Sequence, residues 1–215
     1  MDALPDGLAP LAEFDQFLLY KLIPLADGKT QKLPINPHTL APYAKGGDWQ
    51  NAPGATTSAA AALSSLRLLP DNYGVGFLFT QNDPFYFLDI DGCKDPATSR
   101  WNAAAVDMAA RLPGAAVEVS QSGEGLHIIG VGAAPPHTNT SAVQLYDQAR
   151  FVALTGDMVG DGIATAVALS DALVSLVATH LPATASAFAE RGEWTTAPRS
   201  DWHGPADDDD LVSRA

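Results

Sequence analysis

The sequence predicts an α+β fold built on a mostly antiparallel sheet. Three observations carry that expectation. Short apolar runs of strand length, such as GVGFLF (residues 74–79) and FYFLDID (residues 85–91), recur along the chain and are joined by turn signals. Two segments, AAAALSSLRLL and WNAAAVDMAARL, carry helix formers behind capping residues and stop at a proline. Strands and helices do not alternate one for one, which disfavours a doubly wound parallel sheet.

In chain order, residues 11–23 begin as LAEF and turn apolar in FLLYKLI, a short helix leading into a strand. ADGKTQ is a turn signal, and QKLPINP is the returning strand, closed by two prolines. A loop of Gly, Pro and Asn runs through Trp49 to Gly54, after which Thr57 or Ser58 caps a helix that Pro70 ends. GVGFLF and FYFLDID read as a hairpin around TQNDP. Thr98 or Ser99 is expected to open the next helix, stopped by Pro113 and Gly114. AVEVSQ and LHIIGVG pair around SGEG, and VQLYD and RFVAL pair around Gln148 and Ala149. Ser170 caps a last amphipathic helix, DALVSLVATHL. The folded domain is expected over 1–181, and residues 182–215, rich in Ala, Thr, Pro and Asp, read as an acidic flexible tail or linker.

With 215 residues, 47% hydrophobic and 17% charged, the chain has the composition of a globular domain. No apolar run reaches the roughly 18 residues needed to span a bilayer, and the N-terminus carries acids where a signal peptide carries bases. Cys93 is the sole cysteine, so no internal disulfide forms and a reducing cytoplasm is expected. The net charge is −13; residues 201–215 contribute −4 of it, and −9 remains in residues 1–200. That balance argues against broad electrostatic wrapping of a duplex. Any nucleic acid must be held locally.

Three segments carry candidate chemistry. In FYFLDIDGC a strand sends residues i and i+2 to one face, so Asp89 and Asp91 lie close together. Like charges that close are relieved by a proton or a divalent cation, and after so apolar a strand the pair suits Mg²⁺ or Mn²⁺. The plainer reading is a turn cap or a solvated strand end. In SQSGEGLHIIG, Gly123 and Gly125 allow a tight turn and close backbone approach, Ser122 offers a hydroxyl, and His127 lies on one face of the following strand. A plain hairpin with a satisfied histidine is the alternative. In AVQLYDQARFVALTGD, Arg150 could clamp phosphate, and Tyr146 reads as core before it reads as a stacking surface.

Other chemistries find less support. No lysine follows the glycines with P-loop spacing, and no GxSxG occurs. His38, His137, His180 and His203 show no zinc-like spacing with one another or with Cys93. Asp207 to Asp210 is most simply a solvated run.

Taken in order, FLDIDG, SGEGLH and QLYDQARFVALTG resemble the primase-polymerase domain of the archaeo-eukaryotic primase superfamily. The branch they most resemble is the phage and plasmid one, in which a helicase usually follows. KLPINP, Trp49 and YGVGFLF add to a likeness that runs from Phe17 to Asp157. The resemblance implies an RNA-recognition-motif-like sheet (core about 71–181) with an N-terminal α/β lobe (about 11–70) forming a cleft. It implies nucleotidyl transfer with Mg²⁺ or Mn²⁺, dNTP or NTP as substrate, single-stranded DNA template and primer, and a possible downstream helicase, in a bacterial or phage-infected cytoplasm without a membrane. By residue, Asp89, Asp91 and His127 would be catalytic; Ser122, Gly123, His127 and Arg150 would bind nucleotide; Asp89, Asp91 and Gln144 would face metal. Lys21 and Lys32 are further candidates for contacting nucleotide or template.

One position departs from that pattern. Gln144 stands where members of the branch carry a glutamate, so a neutral amide replaces the third acid. Asp147, three residues on, faces away on a regular strand. Two alternatives therefore stand beside the polymerase: a nucleotide- or single-strand-binding module of the same fold, and a metal-dependent phosphatase or nuclease using the acid pair.

Overall fold

The computed structural model describes residues 1, 3–44, 49–159 and 170–183. A 3-10 helix, Asp6–Glu13, leads into strands β1 (Phe17–Pro24) and β2 (Thr30–Ile35), followed by helix α1 (Ala59–Leu66). Then come β3 (Tyr73–Phe79), β4 (Phe85–Ile90), α2 (Ala103–Arg111), β5 (Ala116–Val119) and β6 (Leu126–Val131). Strands β7 (Val143–Tyr146) and β8 (Arg150–Ala153) and helix α3 (Ser170–His180) complete the described chain. The α+β expectation holds.

The strands form two sheets where the sequence suggested one. Their orders are β2-β1-β3-β8 and β5-β6-β4-β7, and every pairing is antiparallel. Strands β3 and β8, from beyond residue 70, complete the first sheet. In the second, β4, α2 and β5 make a split βαβ unit with β6 lying between its strands and β7 on the far flank.

Two expected hairpins prove to be something else. Strand β3 pairs with β1 and β8, and β4 pairs with β6 and β7, so TQNDP joins sheets and not neighbours. The same holds for β7 and β8. The chain turns a corner twice, side by side, and the antiparallel partners β3/β8 and β4/β7 continue on either side of it. Asp83 fixes the first corner by accepting hydrogen bonds from the Thr80 and Phe85 backbone N–H groups (2.7 and 3.0 Å) and from Gln16 Nε2 (2.7 Å). At the second corner Ala149 takes a left-handed φ of 51°.

Period-2 alternation sets which residues share a face. On the second sheet, Tyr86, Leu88, Ile90, Leu126 and Ile128 pack with Met108 of α2 and Leu176 of α3. The opposite face, with Phe85, Phe87 and Ile129, packs into the core shared with Phe77 and Phe79 of β3 and with Leu8, Leu11 and Ala62. In the first sheet Gly76 is required by packing: a Cβ there would stand 2.5 Å from the Val152 carbonyl oxygen and inside the Phe151 ring.

Capping is legible in one helix and misread in another. Ser58 caps α1 by accepting from Ala61 N. Asn102 caps α2 in place of Thr98 or Ser99, its Oδ1 accepting from Ala105 N at 2.9 Å. Asp95 draws the earlier residues into its own turn, accepting from Ala97 and Thr98 N–H, and Ser99 is left-handed at φ 56°. Helix α3 lies where expected; the Ser170 side chain, His203, Asp207 to Asp210 and all of the expected tail except Pro182 and Ala183 fall outside the described residues.

Candidate active site

The second sheet's inner face changes character row by row. Ala116, Ile129, Phe87 and Tyr146 stand opposite one another across its four strands. Two residues further along, the next row on that face is Glu118, His127, Asp89 and Gln144. Apolar packing thus gives way to a row of four polar side chains, of which Asp89 and His127 line a cleft between the sheets. Its volume is about 260 Å³. Asp89, His127 and Phe87 form one wall, Arg150 and Phe151 of β8 another, and Lys32 of β2 lies at the margin.

The row is wired from its buried end. Glu118 is fully buried and accepts hydrogen bonds from the Thr155 and Gly156 backbone N–H groups (3.1 and 2.9 Å). Its Oε1 lies 2.9 Å from His127 Nδ1. A carboxylate only accepts, so Nδ1 carries the proton and donates. Nε2 is left to the Asp89 side, 3.9 Å from Asp89 Oδ1. His127 itself is 2% exposed, so this hydrogen bond fixes both its orientation and the nitrogen it offers.

Asp89 Oδ1 is buried without a hydrogen-bond partner. Burial raises the Asp89 pKa above the ordinary carboxylate value; His127 opposes that rise, the Asp91 charge adds to it, and Lys32 and Arg150 oppose it. A buried carboxylate oxygen with no donor is an open position for a cation or a proton.

At the other end of the row, Gln144 Oε1 accepts from the Tyr146 hydroxyl at 2.8 Å and from Arg150 Nη2 at 3.5 Å. The Arg150 guanidinium lies over the Tyr146 ring, 4.4 Å from its centroid. Arg150 Nε is buried and unbonded. Tyr146 therefore joins the site as a platform under the guanidinium, beyond the core role its sequence context suggested.

The structure thus gathers Asp89, His127 and Arg150 around one cleft, with Gln144 bonded to Arg150. Asp91 follows β4 directly, exposed and outside the cleft wall, its N–H donating to Ala142 O at 2.8 Å. Ser122 and Gly123 lie in the β5–β6 turn, also outside the wall. Ser122 Oγ accepts from Glu124 N at 3.3 Å, and Gly123 has φ 78°. That turn is held close to the acid pair, since a Cβ on Gly125 would stand 2.7 Å from Ile90 O and 3.5 Å from Asp91 Cα. The two candidate lysines separate: Lys32 reaches the cleft, whereas Lys21 projects from the other face of the first sheet, 5.4 Å over the Tyr73 ring. Asp147 does not replace Gln144, because its Oδ2 accepts from Ala134 N at 2.9 Å.

Glu118 was missed in the sequence. The signal was an acid inside the apolar strand AVEV, on the strand expected to pair with the one bearing His127. Among the described residues no group of three or more His, Cys, Asp and Glu side chains is placed to hold a metal ion. A hard cation that takes one or two carboxylates and completes its shell with water and substrate phosphate needs fewer protein ligands. The unbonded Asp89 oxygen, with the Asp91 charge near enough to raise the Asp89 pKa, fits such an ion.

No protein-family model matches the chain. It is 29% identical over 92 residues to the DNA primase-polymerase of Nitratiruptor phage NrS-1. The chain is similar to a phage primase-polymerase. The aligned part covers 40% of this chain and 13% of that relative. At that coarse level the likeness supports a primase or polymerase reading.

Proposed function

We propose that this chain is a metal-dependent nucleotidyltransferase that extends a primer, or a first nucleotide, on a single-stranded DNA template during replication of a phage, plasmid or other mobile element. One observation carries the reading: Asp89 and His127 stand side by side in one cross-strand row, facing Arg150 across a cleft between two sheets. Carboxylate, imidazole and guanidinium around one small cleft suit a triphosphate with its cation.

Mg²⁺ or Mn²⁺ would be held by Asp89 and Asp91 together with phosphate oxygens, and supplies charge neutralisation at the attacking and leaving oxygens. Arg150 neutralises triphosphate charge from the opposite wall, its plane set by Tyr146 and Gln144. His127 presents Nε2 toward the same space, held there by Glu118. Ser122 and the backbone N–H groups around Gly123 offer further donors from the adjacent turn. Gln144 would add its carbonyl oxygen to the cation only by releasing the Tyr146 hydroxyl or the Arg150 guanidinium.

That commitment of Gln144 favours a second reading, in which the domain binds nucleotide or single strand and adds nothing. Extension of a primed template with dNTPs and Mn²⁺ or Mg²⁺ separates the two. Extension is expected from the chain as it stands, and Gln144→Glu should raise the rate roughly tenfold by restoring an anionic ligand. Binding of dNTP with no extension by either protein would leave the binding module.

A further inference from the structure

Beside the reaction cleft lies a larger depression of about 550 Å³. Gln50 and Asn51 line it from the loop before α1, Thr80, Gln81 and Asn82 from the β3–β4 corner, and Gln148 from the β7–β8 corner. The two clefts share a wall: Ala149 borders this one and Arg150, the next residue, borders the other. Ala149 stands at that shared corner in a left-handed conformation, which a non-glycine residue keeps only where the surrounding structure imposes it. The loop wall is pinned from behind. The Trp49 ring stacks on Tyr43 at 4.3 Å, and the Tyr43 hydroxyl donates to the Ala55 carbonyl oxygen.

The side chains that give this lining its polarity are neutral: the amides of Gln50, Asn51, Gln81, Asn82 and Gln148 and the hydroxyls of Thr56 and Thr80. Among the described residues that border the depression there is no carboxylate and no cation. Amides without a cation beside them suit an uncharged base better than a phosphate. Side-chain amides present a donor and an acceptor side by side, the complement of a nucleobase edge. The base of an incoming nucleotide is the wrong occupant, because its pairing edge is already taken by the template. Unpaired bases of the template strand have free edges.

We propose that this neutral cleft holds bases of the single-stranded template by their edges, next to the point of nucleotide addition. The word template rests on the polymerase reading; the binding of unpaired bases does not. The chain would thus grip DNA through its bases and leave the phosphates to solvent, and would show a preference among template sequences.

Fluorescence anisotropy with a labelled single-stranded oligonucleotide and an abasic strand of the same length tests this, using the whole chain and Gln81→Ala/Gln148→Ala. Both glutamines are solvent-exposed, so the double variant should melt at an unchanged temperature. The unsubstituted chain should bind the base-bearing strand about tenfold more tightly than the abasic one. The double variant should lose most of that difference, with dNTP affinity in Mn²⁺ unchanged by calorimetry. Equal affinity for the two strands, no binding of either, or a difference that survives both substitutions overturns the proposal. Base-dependent binding without extension by the chain or by Gln144→Glu would remove the polymerase and leave the cleft; extension without base-dependent binding would do the reverse.

Discussion

Asp89 is a carboxylate at odds with its surroundings, with one oxygen buried and unbonded. Because burial raises its pKa in the folded state, the folded protein keeps a proton that the unfolded chain releases above about pH 4. Folding stability therefore falls as pH rises through the window between the two pKa values. Asp89→Asn should raise the melting temperature of the metal-free protein at pH 7, with the gain shrinking toward pH 4, and should abolish any stabilisation by Mn²⁺. Thermal melts at both pH values, with and without Mn²⁺, check the sign. Glu118 differs in kind, since all its partners are donors. Glu118→Gln turns an NH₂ group toward backbone N–H groups or toward the imidazole, and should cost about 2–3 kcal/mol in urea unfolding. If Glu118 positions His127, dNTP affinity should also fall, by roughly tenfold; an unchanged affinity would leave Glu118 a purely structural acid. In the sequence Asp89 stood out because DID closes an aromatic run, whereas Glu118 was hidden because its partners lie on β6 and after β8.

Gly76 shows how an element can be legible while its neighbours are not. YGVGFLF announced a strand, and the close approach of Phe151 explains why a glycine interrupts it. Gly76→Ala would force Phe151 and the Val152 carbonyl aside, costing about 1–3 kcal/mol. Urea unfolding should show that loss, and weaker dNTP binding should accompany it, since Phe151 lines the proposed nucleotide cleft. The corners teach the converse. TQNDP carries the Asn, Asp and Pro of a hairpin loop, and Asp83 does bond the backbone at both ends of the turn. The same turn chemistry serves a chain that leaves one sheet for another. Which of the two occurs depends on β8 and β7, far downstream in the chain, taking up the pairing with β3 and β4.

Across the whole molecule, a net charge of −13 leaves few cations for a polyanion. Among the described residues, those at the candidate cleft are Lys32 and Arg150. Binding of single-stranded DNA should therefore show a shallow salt dependence, with a slope of log K against log salt of about −1 to −2, against the steeper slope of a protein that tracks the phosphates. Anisotropy titrations over a range of salt concentrations measure it. A much steeper slope would point to a basic surface elsewhere on the chain and count against base-edge binding as the main grip.

The sequence by itself determined the α+β class, the strand lengths, a cap at Thr57 or Ser58 and the three segments that carry Asp89, His127 and Arg150, because period-2 alternation, capping and turn chemistry are local. Only the tertiary structure decided that β3 and β4 lie in different sheets, that Glu118 wires His127, that Tyr146 supports Arg150, and that an amide-lined cleft adjoins the charged one. Those features depend on which distant strand supplies the next row of side chains. Backbone hydrogen bonding is the same for any partner strand, so the choice is made by how two apolar faces pack, which no short stretch of sequence records.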